Sequence, residues 1–357
     1  IDSLGNIVWT KTYGGDGNDW LLSSESIKKT NDNGYIIVGT TISFGTGARD
    51  IYLIKTDSIG NIQWTKTFGG TEFDDGWAVQ QTTDGGYIIA GMTNSFGAGN
   101  TDAYLIKTDA IGDTIWTRTY GGSNWDDARA VLQTSDGGYI FTGHTESFGY
   151  GCDFYVVKTN SAGDTLWTKS YHPNIGGAEG NAIQNTSDSG YIIAGYTTTP
   201  TNEGDIFLIK IDSLGTLLWN KTVGGLWEED AYSIKQTGDS GYIIVGMTLP
   251  YGAENFDLYL VKIGPDIGGV EELKKSINTA FNIFPNPARE LFTLQSHIPL
   301  KKIKIFNAAG QLEQEFIFNN HSILNTKIST TSLKSGVYFI QIYAEDIHQI
   351  KKLIIIR

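Results

Sequence analysis

The phrase Gly-Tyr-Ile occurs five times, with tyrosines at Tyr35, Tyr87, Tyr139, Tyr191 and Tyr242, so successive copies stand 52, 52, 52 and 51 residues apart. Tryptophans keep the same step at Trp9, Trp64, Trp116, Trp167 and Trp219, and lysines at Lys55, Lys107, Lys158, Lys210 and Lys262. Three series in phase define a structural repeat. A unit of this length buries its apolar surface against its neighbours, so the repeat decides the fold.

Within one copy, four apolar runs alternate with turn residues, in the second copy at 78–82, 87–93, 103–108 and 114–120. The steps Asp84-Gly85-Gly86 and Asp109-Ala110-Ile111-Gly112 supply the positive backbone angles that hairpins require, so neighbouring runs pair antiparallel. Four strands in about 50 residues make one propeller blade. Near-continuous apolar runs such as Ile36-Ile37-Val38 suit a sheet packed on both faces. The 44 glycines, 7 prolines and 12% aromatic residues fit many short strands joined by tight turns.

The recurring tryptophan offers a large buried area and is expected between adjacent blades, with the Gly-Tyr-Ile tyrosine also in the core. The recurring lysine has Asp or Asn two residues on in four copies. Such residues share a strand face, which places the pair at a solvated blade margin. Asp57-Ser58-Ile59-Gly60-Asn61-Ile62-Gln63-Trp64 is similar to the tryptophan-docking motif of quinoprotein-type propellers, one residue shorter. That resemblance covers the hairpin alone and implies an outermost strand beginning near Trp64. No cluster of cofactor ligands accompanies it, so no cofactor is expected.

Inner-strand runs start at Ser26, Ala78, Ala130, Ala182 and Ser233, but the last copy, ending at Lys262, has no tryptophan strand after it. An orphan tryptophan strand lies at 7–13. The two ends complement each other, and 7–13 is expected to pair as the outer strand of the fifth blade and close the ring. Because the chain opens without Met inside a repeat, its start reads as processed or truncated.

After Lys262 the period stops. The expected organisation is a β-propeller over 1–263, a linker over 264–280 and a C-terminal module over 281–357, in which apolar strands separated by turns suit a small immunoglobulin-like β-sandwich. The charge divides at the same place. The chain carries a formal −13, whereas residues 281–357 hold 9 Lys+Arg against 5 Asp+Glu. An acidic repeat region excludes a phosphate-backbone binder, so no nucleic acid partner is expected. A single cysteine, Cys152, forbids an intrachain disulfide and reads as a small buried hydrophobe, and no apolar run approaches a membrane span.

The module contains Phe284-Pro285-Asn286-Pro287-Ala288, a strand followed by Gly310, Leu333 ahead of Gly336-Val337-Tyr338, and a basic-apolar end from Lys351-Lys352 to Arg357. In this order they closely resemble the type A C-terminal sorting domain of Bacteroidota type IX secretion. The resemblance implies that the type IX machinery is a partner, that Pro285, Asn286, Pro287, Gly310, Gly336, Tyr338, Lys351 and Lys352 carry the sorting motif, and that the protein passes through the periplasm to the outside or the outer-membrane surface.

Catalytic machinery is harder to find. His144, His172, His297, His321 and His348 are scattered without ligand spacing, so no metal site is expected. No nucleophile elbow, zinc helix, phosphate loop or calcium loop occurs. Acidic groups recur beside aromatics: Phe73-Asp74-Asp75, Trp125-Asp126-Asp127 and Trp227-Glu228-Glu229-Asp230. Glycosidases need paired carboxylates, but theirs converge once from different parts of a fold. Recurrence in equivalent copies reads instead as a solvated connecting loop, or as a face on which aromatics stack on sugars while the acids accept hydroxyl hydrogen bonds. The expected function is a non-catalytic secreted or surface-attached propeller binding glycan or protein. The alternative is a glycan hydrolase or lyase on the same scaffold, since propellers host both. Ser58, Thr114, Thr165 and Ser213 follow Asp and precede an apolar residue, a pattern that resembles the O-glycosylation acceptor of exported Bacteroidota proteins.

Overall fold

The computed structural model describes residues 4–173, 176–199, 202–224, 228–249, 256–264, 281–296, 300–307, 311–318, 325–344 and 347–356. The chain divides into two units, Ile1–Gly268 and Gly269–Arg357. Apart from Gly264, the expected linker lies outside the described residues.

The first unit is a series of antiparallel propeller blades. In the second copy the strands are Asp74–Gln81, Tyr87–Thr93, Asp102–Thr108 and Thr114–Tyr120, paired in chain order. The third blade runs from Ala130–Gln133 to Thr165–Tyr171 and the fourth from Gly177–Asn185 to Leu217–Val223, in the same order. In the first blade Asp19–Trp20 and Ile27–Lys29 share the inner position beside Tyr35–Thr41. The tip of the first hairpin needs a left-handed residue, which is Gly85 or Gly137 in two copies and Asn33, Ser189 or Ser240 in the others, with φ between 63° and 85°.

Successive sheets stack face to face. Ile36, Val38, Ile51 and Leu53 of the first blade bury against Tyr87, Ile89, Tyr104 and Ile106 of the second. The outer-strand tryptophan reaches over to the next blade as expected: Trp64 stands edge-on to Tyr87 and Trp116 to Tyr139, each with ring centres 5.7 Å apart. The hairpin glycine of that next blade makes room for it. Gly112 has φ 83°, and a Cβ there would lie 2.7 Å from the Trp64 ring.

The recurring lysine is not at a solvated margin. Lys55, Lys107, Lys158 and Lys210 are buried, and each ammonium pairs with an aspartate in the first hairpin of its own blade: Asp32, Asp84, Asp136 and Asp188, at 2.7–2.9 Å. Each also donates to the carbonyl of the next residue, as Lys107 Nζ does to Thr108 O at 2.7 Å. The acid two residues on has a separate task. Asp57 Oδ1 accepts the Ile59 and Asn61 amides and so shapes the second hairpin.

Ring closure by strand pairing is likewise corrected. Among the described residues the fifth sheet has three strands, Glu229–Gln236, Tyr242–Thr248 and Asp257–Ile263, and 7–13 forms no strand. That segment instead docks on the first blade, Trp9 edge-on to Tyr35 at 6.1 Å and Tyr13 OH donating to Gly60 O at 2.8 Å. Its aromatic side chains find their partners on the blade that follows, so burying them does not require a sheet. Among the described residues nothing covers Leu258 and Leu260 of the fifth blade, which are 78% and 63% exposed.

In the second unit, a three-stranded sheet (Phe281–Phe284, Leu291–Ser296, Asn325–Ser329) and a four-stranded sheet (Leu312–Ile317, Lys302–Asn307, Gly336–Ala344, Ile347–Ile355) enclose Phe292, Leu294, Ile303, Ile305, Ile340 and Leu353. This is the small β-sandwich the sequence suggested, with seven strands among the described residues. Asn286 Oδ1 accepts the Ile354 amide at 2.9 Å, Ala288 bridges to Ile355, and Tyr338 is buried with its hydroxyl on Lys334 O at 3.0 Å. The Pro-Asn-Pro-Ala phrase is thus fastened to the last strand, which contains Lys351 and Lys352. Pro285 and Pro287 are exposed, Gly336 opens a strand, and Gly310 lies outside the described residues. No helix of the described residues is long and apolar enough to cross a membrane.

Candidate functional site

The recurring acid pairs are buried, which corrects the expectation of a solvated loop. The first acid of each pair fastens two loops. Asp74 Oδ2 accepts the Gly70 amide at 2.9 Å and the Ser95 hydroxyl at 2.7 Å, and Asp126 Oδ2 accepts Gly122 N at 2.8 Å and Ser147 Oγ at 2.5 Å. A buried carboxylate needs such donors, and the Gly-Gly loop and the Ser-Phe-Gly turn supply them. Glu229 repeats part of the pattern by accepting Thr248 Oγ1 at 2.8 Å.

The second acids meet cationic or polar partners. Asp75 pairs with Arg49 at 2.7 Å. Asp127 accepts Nε and Nη2 of Arg129 at 3.1–3.3 Å and the His144 amide at 2.9 Å. Burial opposes ionisation of Asp127, yet the Arg129 charge beside it holds its carboxyl below the usual range. Asp230 is in no ion pair among the described residues. Tyr232 OH reaches its Oδ2 at 3.3 Å, its buried Oδ1 accepts no hydrogen bond, and burial together with Glu228 pushes it up to about 6.

The aromatics of the same loops remain outside. Phe73 is 46% and Trp125 44% exposed, and parallel bridges from Arg49 and Thr101 bring both beside the turns that carry Phe44, Phe96 and Phe148, also exposed. The Arg49 guanidinium lies 4.7 Å from the Phe73 ring centre and 5.8 Å from that of Trp20. Trp227 lies outside the described residues, and Glu228 is half-buried. Ser58, Thr114, Thr165 and Ser213 are all exposed, in or beside the second hairpin of their blades.

A second grouping was missed from sequence. At the inner-strand position just ahead of Ser26, Ala78, Ala130, Ala182 and Ser233, the five copies carry Glu25, Trp77, Arg129, Asn181 and Tyr232. In three blades this residue falls in a β-bulge, the register shifting across Gly76/Ala78, Gly180/Ala182 and Ala231/Ser233. Contacts then run around the inner margins of all five blades. Ser26 Oγ donates to Trp77 O at 3.1 Å, the Arg129 guanidinium lies 5.1 Å from the Trp77 ring centre, Arg129 Nη1 donates to Asn181 Oδ1 at 3.2 Å, Asn181 Nδ2 donates to Ala231 O at 3.1 Å, and Ser24 Oγ donates to Tyr232 O at 2.8 Å. Glu179 also pairs with Arg129. The signal was present as the position at which an otherwise regular repeat never uses the same residue twice.

Comparison with known proteins identifies the second unit. Residues 282–356 match the family described as secretion system C-terminal sorting domain. The chain is similar to the regulatory protein FlaEY of Caulobacter vibrioides, 29% identical over 150 residues that make up 38% of this chain and 15% of that protein. It thus spans a small fraction of that relative. Among solved structures it superposes on PorZ, a surface component of the type IX secretion system of Porphyromonas gingivalis, with TM-score 0.36 and 11% identity over 93% of this chain and 51% of that one. It also superposes on an endo-1,5-α-L-arabinanase of Thermotoga petrophila, with TM-score 0.37 and 13% identity over 93% of this chain and 91% of that one. Residues 282–356 are a type IX C-terminal sorting domain, and its presence marks the protein for secretion or attachment at the outer-membrane surface.

Proposed function

We propose that the exported repeat unit is a binding module that holds an extracellular glycan or protein on its aromatic loop end without transforming it. The observation that carries this is the separation of the loop residues: Phe73 and Trp125 face solvent while the acids beside them turn inward to hold the loops. A row of half-exposed aromatics at one loop end is suited to stacking on sugar rings or to an apolar protein contact. The net charge of −13 disfavours an anionic polymer. A glycan-array screen followed by titration of the hit against Phe73→Ala/Trp125→Ala tests the reading. The double variant should keep the wild-type unfolding midpoint and lose affinity at least tenfold, and unchanged affinity refutes it.

One observation favours a second reading, a glycan hydrolase or lyase. Arg129 gathers Asp127 of its own blade and Glu179 of the next, and both Arg129 and Glu179 act electrostatically on Asp230 of the fifth blade. These acids hold the same position in successive blades and are drawn together around Arg129, and Asp230, pushed up to about 6, lies in a range useful to a general acid. Turnover of a polysaccharide panel that is abolished by Asp230→Asn would establish this reading in place of the first.

A further inference from the structure

A cavity of about 320 Å³ lies beside the outer strand of the second blade, lined by Phe96, Tyr104, Thr117, Arg118 and Thr119. That volume is at the small end of ligand sites, which run from roughly 300 to 1,000 Å³. Phe96 is 45% exposed, and its ring centre lies 5.8 Å from that of buried Tyr104. Thr93 Oγ1 accepts the Ser95 and Phe96 amides at 3.0 and 3.2 Å, so main-chain bonds of the turn hold the phenylalanine in place. An aromatic fixed in this way loses little freedom when a ligand stacks on it. The outer strand forms the polar wall, with Thr119 paired directly to Tyr104.

The same side chains meet in the first and third blades. Phe44 lies 5.2 Å from Tyr52 and Phe148 5.8 Å from Tyr155, each on a turn whose phenylalanine amide donates to a threonine hydroxyl, Thr41 or Thr145, at 3.2 Å. Thr67 and Ser170 pair with these tyrosines as Thr119 does with Tyr104, and Lys66 and Lys169 stand where the second blade has Arg118. The fold does not require this phenylalanine. The fourth copy has none between Tyr196 and Phe207, and Phe207 stands where the others have tyrosine, yet its second, third and outer strands pair as in the other blades.

A half-exposed ring beside hydroxyls and a guanidinium can hold a sugar, whose C–H face stacks on the ring while its hydroxyls meet donors and acceptors at the edge. Arg118 gives one donor to Thr117 O at 3.0 Å and faces Asp164 of the next blade at 3.8 Å, and Lys66 pairs with Asp113 at 2.6 Å. An acid of the following blade thus balances each of these two cations, which leaves no net charge to recruit a carboxylate or sulfate. We propose that the first three blades each carry a subsite for one residue of a neutral glycan, between the turn phenylalanine (Phe44, Phe96 or Phe148) and the outer strand. Such subsites presuppose the glycan-binding reading above and narrow it to uncharged sugars. Three like subsites make binding multivalent, so a polymer should bind about a hundredfold or more tighter than its monosaccharide.

The full chain is titrated by affinity electrophoresis and calorimetry against soluble galactomannan, xyloglucan and mixed-linkage β-glucan, with polygalacturonate and dextran sulfate as anionic probes. The wild type should bind at least one neutral polymer and neither anionic one. Phe96→Ala should weaken binding about three- to tenfold, and Phe44→Ala/Phe96→Ala/Phe148→Ala about a hundredfold or more, with the unfolding midpoint kept. Phe44→Leu/Phe96→Leu/Phe148→Leu keeps apolar volume without a flat face, so it should lose binding equally and decides the matter if the alanine variant fails to fold. Neutral-polymer binding that survives the leucine variant overturns the subsites, and its loss in Phe73→Ala/Trp125→Ala would then show that the glycan-binding reading still stands. Tighter binding of polygalacturonate or dextran sulfate than of any neutral polymer overturns the proposed class. Wild-type protein that binds none of the five polymers overturns the subsites and the glycan-binding reading together.

Discussion

Replacing Asp84 by Ala isolates the buried lysine that recurs through the repeat. Lys107 is 3% exposed, and its ammonium is held by Asp84 at 2.9 Å and by Thr108 O at 2.7 Å. The aspartate side chain is 57% exposed. The pair is therefore asymmetric: one partner rehydrates easily when orphaned and the other does not. Asp84→Ala strands a buried charge, a change that costs about 3–5 kcal/mol. Lys107→Met removes that charge, leaves an apolar stem of similar length and returns Asp84 to water, so its cost should be about 1 kcal/mol, chiefly the lost bond to Thr108 O. At about 2 °C per kcal/mol for a unit of this size, Asp84→Ala should lower the unfolding midpoint by roughly 6–10 °C and Lys107→Met by roughly 2 °C. The double variant Asp84→Ala/Lys107→Met should be more stable than Asp84→Ala alone, because the stranded ammonium is gone. Circular dichroism melts of the four proteins measure this directly. A Lys107→Met midpoint as low as that of Asp84→Ala, or a double variant below both, would refute the reasoning.

Trp116→Ala removes the half-buried ring standing edge-on to Tyr139 across a blade interface and should cost about 2–3 kcal/mol in denaturant titration; a loss within 0.5 kcal/mol, as for a surface site, would count against the blade assignment. Lys55 holds Asp32 at about 2, while Asp136 and Asp188, although burial pushes them up, are held at about 2 by Lys158 and Lys210. Their folded values lie below the ordinary 3.8, so this stabilisation is complete above pH 4 and disappears as pH falls from 4 through 2. Asp230, pushed up to about 6 by burial and Glu228, works the other way, its destabilisation being relieved as pH falls from 7 through 5. Unfolding midpoints should therefore rise slightly from pH 7 to 5 and drop steeply below 4, and a midpoint unchanged at pH 2.5 would contradict the three pairs. Intact-mass spectrometry of protein from its native host should show added sugar removed by joint substitution of Ser58, Thr114, Thr165 and Ser213 with Ala; an unmodified native mass ends that expectation.

The strands were legible because their signals are local. Tyr87–Thr93 and Thr114–Tyr120 were bounded correctly by the apolar runs and the glycines beside them. Asp74–Gln81 proved four residues longer at its start, since Asp74 and Asp75 read as loop until the partners that accommodate them inside are known. The lysine's environment was missed for the same reason. Its aspartate lies 23 residues back in Lys107 and Asp84, and nothing near Lys107 reports it. The Thr-x-Asp-x-Gly turn recurs in phase with the lysine, however, and that periodicity was the available signal. Ring closure was inferred from complementary ends. Complementarity of two segments does not specify where they meet, and Trp9 and Tyr13 found equivalent contacts on the first blade. Of the candidate site, the aromatics could be placed but the inward turn of the acids could not, and the inner ring at Trp77, Arg129, Asn181 and Tyr232 was hidden by its own irregularity.

Export of the repeat unit by its separate sorting domain is the property to measure most directly. The two units have separate cores, so deletion of residues 281–357 should leave the repeat unit folded. Cell fractionation with antibody detection, in a host with a functional type IX system, should find the full-length protein outside the cell or on the outer-membrane surface and the truncated protein, protease-resistant, in the periplasm. Truncated protein reaching the medium at the full-length level would contradict the assignment.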